Sequence, residues 1–137
     1  MQYLTEEDVL AFYREAIGEP ILRYPEGLSS AIGRPQQSAF GDDAYPTITL
    51  KAAALMQSLA ENQPFVDGNK RIAWISGKVF LQIHGLTMCA TDKEGLDLFL
   101  NRIARGMTVQ ELAAWIERHL SAFPGGSVME TIEVDGG

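Results

Sequence analysis

Five consecutive residues, Asp67-Gly68-Asn69-Lys70-Arg71, combine the side chains that hold a phosphate and its counter-ion. They stand where apolar helical periodicity begins, so the unpaired N–H groups and the positive dipole end of a helix favour an anion there. Lys70 and Arg71 add two positive charges, and a guanidinium grips phosphate oxygens through two parallel N–H bonds. Gly68 permits a tight turn with close approach of a ligand. Asn69 can donate from its amide, and Asp67 is a natural hard-oxygen ligand for a magnesium ion that bridges phosphates. The same residues also fit a plainer account. Asp or Asn with Gly before a helix is ordinary turn and N-cap chemistry, and Lys-Arg in a first turn is often solvated surface. Spacing alone does not decide between the two.

The elements that must position this loop are helices. Thr5 with Asp8 approximates a capping box, and Val9, Phe12, Tyr13, Ala16 and Ile17 follow at helical spacing, which predicts a first helix over 5–17. Gly18, Pro20, Pro25 and Gly27 leave room for a short helical turn over 28–32 before Arg34-Pro35, and 36–46 reads as an exposed, partly mobile loop. Ala52, Leu55, Met56 and Leu59 mark a helix over 48–62 that Pro64 must end near Gln63. From Asn69 onward the chain is apolar on almost every side, as expected of a buried central helix. Capping boxes at Thr91 and Thr108 predict helices over 92–105 and 109–122, and Pro124-Gly125-Gly126 separates a tail, 123–137, that is either flexible or a small strand near 131–134. No alternating segment is long enough to predict a sheet. The fold class is therefore all-α, one domain over 1–122 with about six helices around a central buried helix.

Composition narrows the function classes. A chain of 137 residues that is 46% hydrophobic can bury a single core, and 11 basic against 18 acidic residues give a net charge of −7, which disfavours binding to a nucleic-acid backbone. Cys89 has no partner for an internal disulfide, and His84 and His119 lie far from each other and from it, so no metal-ligand spacing arises. Both histidines fall at expected helix ends, His119 in the last turn of the final helix, where a structural role suffices. Trp74, Phe80, Phe99 and Trp115 are expected in the core, and Asp42-Asp43 as exposed loop charge. The acidic opening Met1 to Asp8 does not resemble a signal peptide, and the apolar stretch Ile72 to Leu86, interrupted by Lys78, Gln82 and His84, is shorter than the roughly 20 residues of a membrane span. A cytoplasmic protein with no membrane partner is expected.

The segment Gln63-Pro64-Phe65-Val66-Asp67-Gly68-Asn69-Lys70-Arg71 resembles the Fic-family signature His-Pro-Phe-x-Asp/Glu-Gly-Asn-x-Arg, in the Doc variant with lysine after the asparagine, and departs from it only at Gln63. Glu26 to Gln36 is similar to the Doc "Gly-Leu-x-x-Ala-x-x-x-Pro" segment, and Tyr45-Pro46-Thr47 with Lys51 to Leu55 also fits; the likeness spans about Tyr3 to Leu120. The resemblance implies a helical bundle whose motif loop binds ATP. It gives Phe65 as the anchor of the loop in the core and a member of the cofactor-binding set, Asp67 as the Mg2+ ligand, and Gly68, Asn69, Lys70 and Arg71 as the phosphate site. Gln63, Asp67, Lys70 and Arg71 would carry the catalysis. Fic adenylyltransferases usually carry a second arginine three residues after Arg71, where this chain has Trp74. That departure points to the Doc branch, toxins of toxin–antitoxin pairs that phosphorylate a hydroxyl on elongation factor Tu, with 36–46 as the flap that aligns the target. An antitoxin with a Phd-like peptide segment would be the second partner.

Gln63 stands where active relatives carry a histidine that deprotonates the attacking hydroxyl. An amide is not basic near neutral pH, so the roughly 10²- to 10⁴-fold contribution of general-base catalysis is forfeited. Three accounts stay open: a substitution that disarms a toxic protein, a natural change in a nucleotide- or partner-binding pseudoenzyme, and a chemistry that tolerates a weaker base because phosphoryl transfer relies on positioning. AMP transfer rather than phosphoryl transfer is the remaining alternative.

Overall fold

The computed structural model describes residues 1–122, and the expectations for the tail over 123–137 lie outside the described residues. Six α-helices are present: α1 (Glu6–Ala16), α2 (Pro25–Gly33), α3 (Ile48–Asn62), α4 (Asn69–Ile83), α5 (Asp92–Asn101) and α6 (Val109–Glu117). Local sequence accounts for most of their boundaries. Thr5, Thr91 and Thr108 each accept from the N3 backbone while Asp8, Glu94 and Glu111 reach back to the cap N–H, completing three capping boxes. Thr47 caps α3 by accepting from Leu50 N–H. Pro25 occupies the first turn of α2, where its missing N–H costs nothing, so this helix begins three residues before the expected turn.

The most enclosed helix is α3, buried without interruption from Lys51 to Leu59, and it packs against α2, α4 and α6. The expected central helix, α4, lies beside it with Ile75, Lys78 and Val79 only half-buried. Ala52, Ala53 and Ala54 explain the difference: their small side chains let neighbours approach α3 from several directions. Gly77 does the same for α4, since a side-chain carbon there would collide with the Met56 thioether. Phe65, Ile72, Trp74, Phe80, Phe99 and Leu112 fill the core between these helices.

The expectation of no sheet is corrected by two short antiparallel ladders. Leu86–Met88 (β3) pairs with Leu120–Ala122 (β4), Thr87 opposite Ser121. As a result α6 ends at Glu117, five residues earlier than predicted, and His119 lies beyond the helix, its ring stacked 4.0 Å from that of Trp115 and its Nδ1 2.7 Å from the Trp115 carbonyl. Three-residue strands give too little alternation to read, and their pairing joins distant parts of the chain. Helix α5 likewise ends at Asn101, followed by a 3₁₀ turn at Ile103–Arg105.

The segment over 36–46 is exposed as expected, but within it Ser38–Ala39 (β1) pairs with Asp42–Asp43 (β2) as a hairpin. Phe40 and Gly41 turn it with φ of 55° and 87°, the double left-handed geometry of a tight hairpin. Its base is tied to α3 by two cations. Arg34 donates to the Tyr45 hydroxyl at 2.9 Å and to Ser58 Oγ at 2.8 Å. Lys51, only 1% exposed, donates to the Pro35 carbonyl at 3.2 Å and to Asp43 at 3.4 Å. No helix among the described residues is long and apolar enough to cross a membrane.

Candidate functional site

The chemistry-bearing loop spans the gap between α3 and α4. Pro64 stops α3, and Gln63 closes it in the left-handed region, φ 49° and ψ 58°, its N–H reaching back to the Leu59 carbonyl. The loop is then braced from the side by the extended segment before α2. Arg23 and Tyr24 N–H donate to the Pro64 carbonyl at 2.8 and 3.0 Å, Val66 N–H donates to Ile21 O at 3.0 Å, and Leu22 bridges Phe65. From beneath, Phe65 is fully buried and stacks on Tyr13 at 4.4 Å, while the Tyr13 hydroxyl donates to the Asp67 carbonyl at 2.9 Å.

Asn69 bonds the loop in a way the sequence did not suggest. Asn69, expected to give its amide to phosphate, bonds both backbone groups of Phe65: Nδ2 donates to Phe65 O and Oδ1 accepts from Phe65 N–H, each at 2.9 Å. Its side chain is a clasp, which leaves its backbone N–H as the donor at the start of α4. Phe65 is the buried anchor of the loop that the resemblance implies, and its side chain does not line the cleft that Asp67 and Lys70 wall. Gly68 takes the tight-turn geometry expected of it: it is the N-cap of α4 at φ 78° and provides no capping side chain, leaving the first N–H groups of the helix open. A side chain there would also press on Ile17, 3.2 Å from the added carbon.

The remaining polar residues line one cleft of about 400 Å³, walled by Gln63, Asp67, Gly68, Asn69, Lys70 and Arg71 on one side and by Val66, Leu96 and Leu100 as apolar patches. Asp67 Oδ1 accepts from Gly68 N–H at 2.8 Å, which orients the carboxylate, and among the described residues its other oxygen has no hydrogen-bond donor. Lys70 and Arg71 are exposed, and among the described residues neither has a carboxylate within ion-pair distance. Two free cations, open helix N–H groups and one oriented carboxylate suit a magnesium-chelated polyphosphate. No three His, Cys, Asp or Glu side chains cluster among the described residues, so a magnesium ion at Asp67 would complete its shell from phosphate and water.

A second cleft of about 360 Å³ opens on the other side of Gln63 and Lys70, lined also by Glu61, Phe99, Ile103 and Ala104. Sequence reading missed this wall and that of Leu96 and Leu100. The available signal was surplus apolar residues on α5, where Leu98 and Phe99 already fill the core. It also missed Arg23, whose Nη2 lies 3.2 Å from both the carbonyl and the Oε1 of Gln63.

Trp74 stands outside the site. It is 1% exposed, and its indole N–H donates to Asp92 at 2.8 Å, the same carboxylate oxygen that Lys78 binds at 2.7 Å. These two donors, with the nearby charges of Lys78 and Arg71, hold the Asp92 carboxyl below its ordinary value.

The relation to known proteins agrees with this geometry. A curated relative, Toxin Doc of Mycolicibacterium smegmatis, is 41% identical over 116 residues, covering 82% of this chain and 89% of that protein. The family model of the Fic/DOC family matches residues 3–81, from before α1 through the motif loop and most of α4. Loop, flanking helices and sequence match coincide, and the chain belongs to the Fic/Doc family.

Proposed function

We propose that this chain is a Doc-type toxin of a toxin–antitoxin pair, built to hold magnesium ATP at the start of α4 and to transfer its terminal phosphoryl group to a hydroxyl of a protein, with turnover weakened by Gln63. The observation that carries the reading is the single cleft that Asp67, Lys70, Arg71 and the start of α4 line together. In this reading the helix N-terminus and Lys70 bind phosphate oxygens, Arg71 grips them through its planar fork, and Asp67 holds the magnesium ion. When bound, the ion neutralises charge on the phosphates. The burial of Trp74 away from the cleft leaves one arginine rather than two on the anion, which favours phosphoryl over AMP transfer. The resemblance supplies an elongation factor Tu-type target and a Phd-like antitoxin segment, and the name of the relative, Toxin Doc, supports an antitoxin partner.

Gln63 favours a second reading, a binding protein that keeps the nucleotide site and has lost transfer. Growth of a bacterial host expressing this chain or Gln63→His, with radiolabelled ATP added to both lysates, separates the two. The enzyme reading expects growth arrest and a labelled protein in the histidine form alone, and mass spectrometry of that protein would find a phosphate rather than a nucleotide adduct. If neither form labels or arrests while purified protein binds Mg-ATP, the binding reading stands.

A further inference from the structure

Gln63 is more tightly specified than a simple loss of histidine requires. Its backbone is in the left-handed region, which few residues other than glycine adopt at low cost. Its two oxygens, backbone carbonyl and Oε1, converge on one nitrogen of Arg23, 3.2 Å from each. A guanidinium has donors only, so the side-chain atom facing Arg23 must be the carbonyl oxygen of the amide, and the NH2 end is the one left for the clefts that Gln63 lines. Arg23 is in turn held by its own N–H bond to the Pro64 carbonyl at 2.8 Å, so its main chain is registered against the loop it serves.

We propose that Arg23 is a positioning residue that locks the Gln63 carboxamide as a hydrogen-bond donor, so that position 63 binds an anionic oxygen of the nucleotide instead of accepting a proton. This rests on the nucleotide-binding reading above. A freely rotating glutamine could offer its oxygen to an attacking hydroxyl and imitate part of the role of a base. With that oxygen committed to Arg23, the side chain adds a donor to a site already made of donors: Lys70, Arg71 and the N–H groups of α4. The arrangement retains phosphate and does not activate a nucleophile.

The test uses the full-length ¹⁵N-labelled chain beside Arg23→Met, Arg23→Lys and Gln63→Glu. Without nucleotide, the side-chain NH2 pair that disappears in Gln63→Glu should show a heteronuclear NOE as high as the backbone of α3. It should fall to that of a free side chain in Arg23→Met and recover in part in Arg23→Lys. On titration with Mg-ATP the NH2 pair should shift, and affinity should drop about two- to tenfold in Arg23→Met, the worth of one hydrogen bond, and further in Gln63→Glu, which keeps the shape but turns a donor into an acceptor. Equal mobility of the pair in wild type and Arg23→Met overturns the positioning role. Unchanged or tighter Mg-ATP binding by Gln63→Glu overturns the donor role without any change at Arg23. If Mg-ATP moves no resonance at Gly68 to Arg71 in any form, the nucleotide reading itself fails, and the ligand-free NOE comparison still decides whether Arg23 orders Gln63.

Discussion

Asn69 and Phe65 exchange two hydrogen bonds, side-chain amide to backbone, at 2.9 Å each. The pair reproduces, between a side chain and a main chain, the reciprocal bonding of two strand residues, and it closes the turn that carries Asp67. Asn69→Ala should leave the part-buried N–H and C=O of Phe65 without protein partners and cost about 1–3 kcal/mol. Asn69→Asp keeps the acceptor but sets a carboxylate against the Phe65 carbonyl, and should cost at least as much. Urea denaturation measures both. A Mg-ATP affinity that falls along with stability would mark the clasp as a support of the site; affinity lost at full stability would return Asn69 to the phosphate-donor role first expected of it.

Arg71 and Lys70 should separate by geometry rather than charge. Arg71→Lys preserves the charge but loses the planar fork, so affinity for Mg-ATP should fall by about tenfold or more, the loss of a charge-assisted bond. Lys70→Arg should be tolerated, because an ammonium at that place acts as a point charge. Calorimetric titration at low and high salt checks the assignment, and equal losses in both variants would contradict it.

Much of the fold was legible because its signals are local. The capping boxes at Thr5, Thr91 and Thr108 each lie within four residues, and Pro64 fixes the end of α3 within one. What escaped was non-local. The pairing of Leu86–Met88 with Leu120–Ala122 and the reach of Arg23 to Gln63 leave no periodic trace. The candidate site residues were legible as a run of chemistry-bearing types, yet type did not fix side-chain geometry: an asparagine there suits a donor to phosphate and a clasp on Phe65 alike, and the loop path turns its side chain to Phe65. Lys51 was hidden for a related reason, since a lysine within an apolar helix reads as its solvent face.

Lys51 gives a prediction about the order of the β1–β2 hairpin. Its buried ammonium holds the β1–β2 hairpin through Asp43, which is itself 57% exposed. Lys51→Met removes a buried charge but leaves the buried Pro35 carbonyl without the donor that serves it, so it should cost about 1–3 kcal/mol. Asp43→Asn strands the cation and should cost about 1 kcal/mol after allowance for the solvent around Asp43. Both should speed hydrogen exchange at Ala44 N–H, which bonds the Gln37 carbonyl across the hairpin base at 2.9 Å. Unchanged exchange in both would show that Arg34 and Tyr45 hold the hairpin without Lys51.

Asp92 sets an acid-side dependence with a definite sign. Hydrogen bonds from Lys78 and then Trp74 hold its carboxyl below the ordinary value of 3.8, so the folded state favours the ionised form. A depressed folded pKa contributes stability that is fully present above that ordinary value and is lost as pH falls through the folded one. The melting temperature should therefore decline more steeply below about pH 4 in the wild type than in Asp92→Asn. Glu94 and Glu111, held low by their own capping threonines, contribute acid-side losses that both proteins share. Trp74→Phe removes one of the two donors and should move the Asp92 titration, followed by the ¹³C shift of its carboxyl carbon, upward toward the ordinary value. If the titration stays where it was, Lys78 alone sets the charge of Asp92, and the indole contributes only its packing to the boundary between α4 and α5.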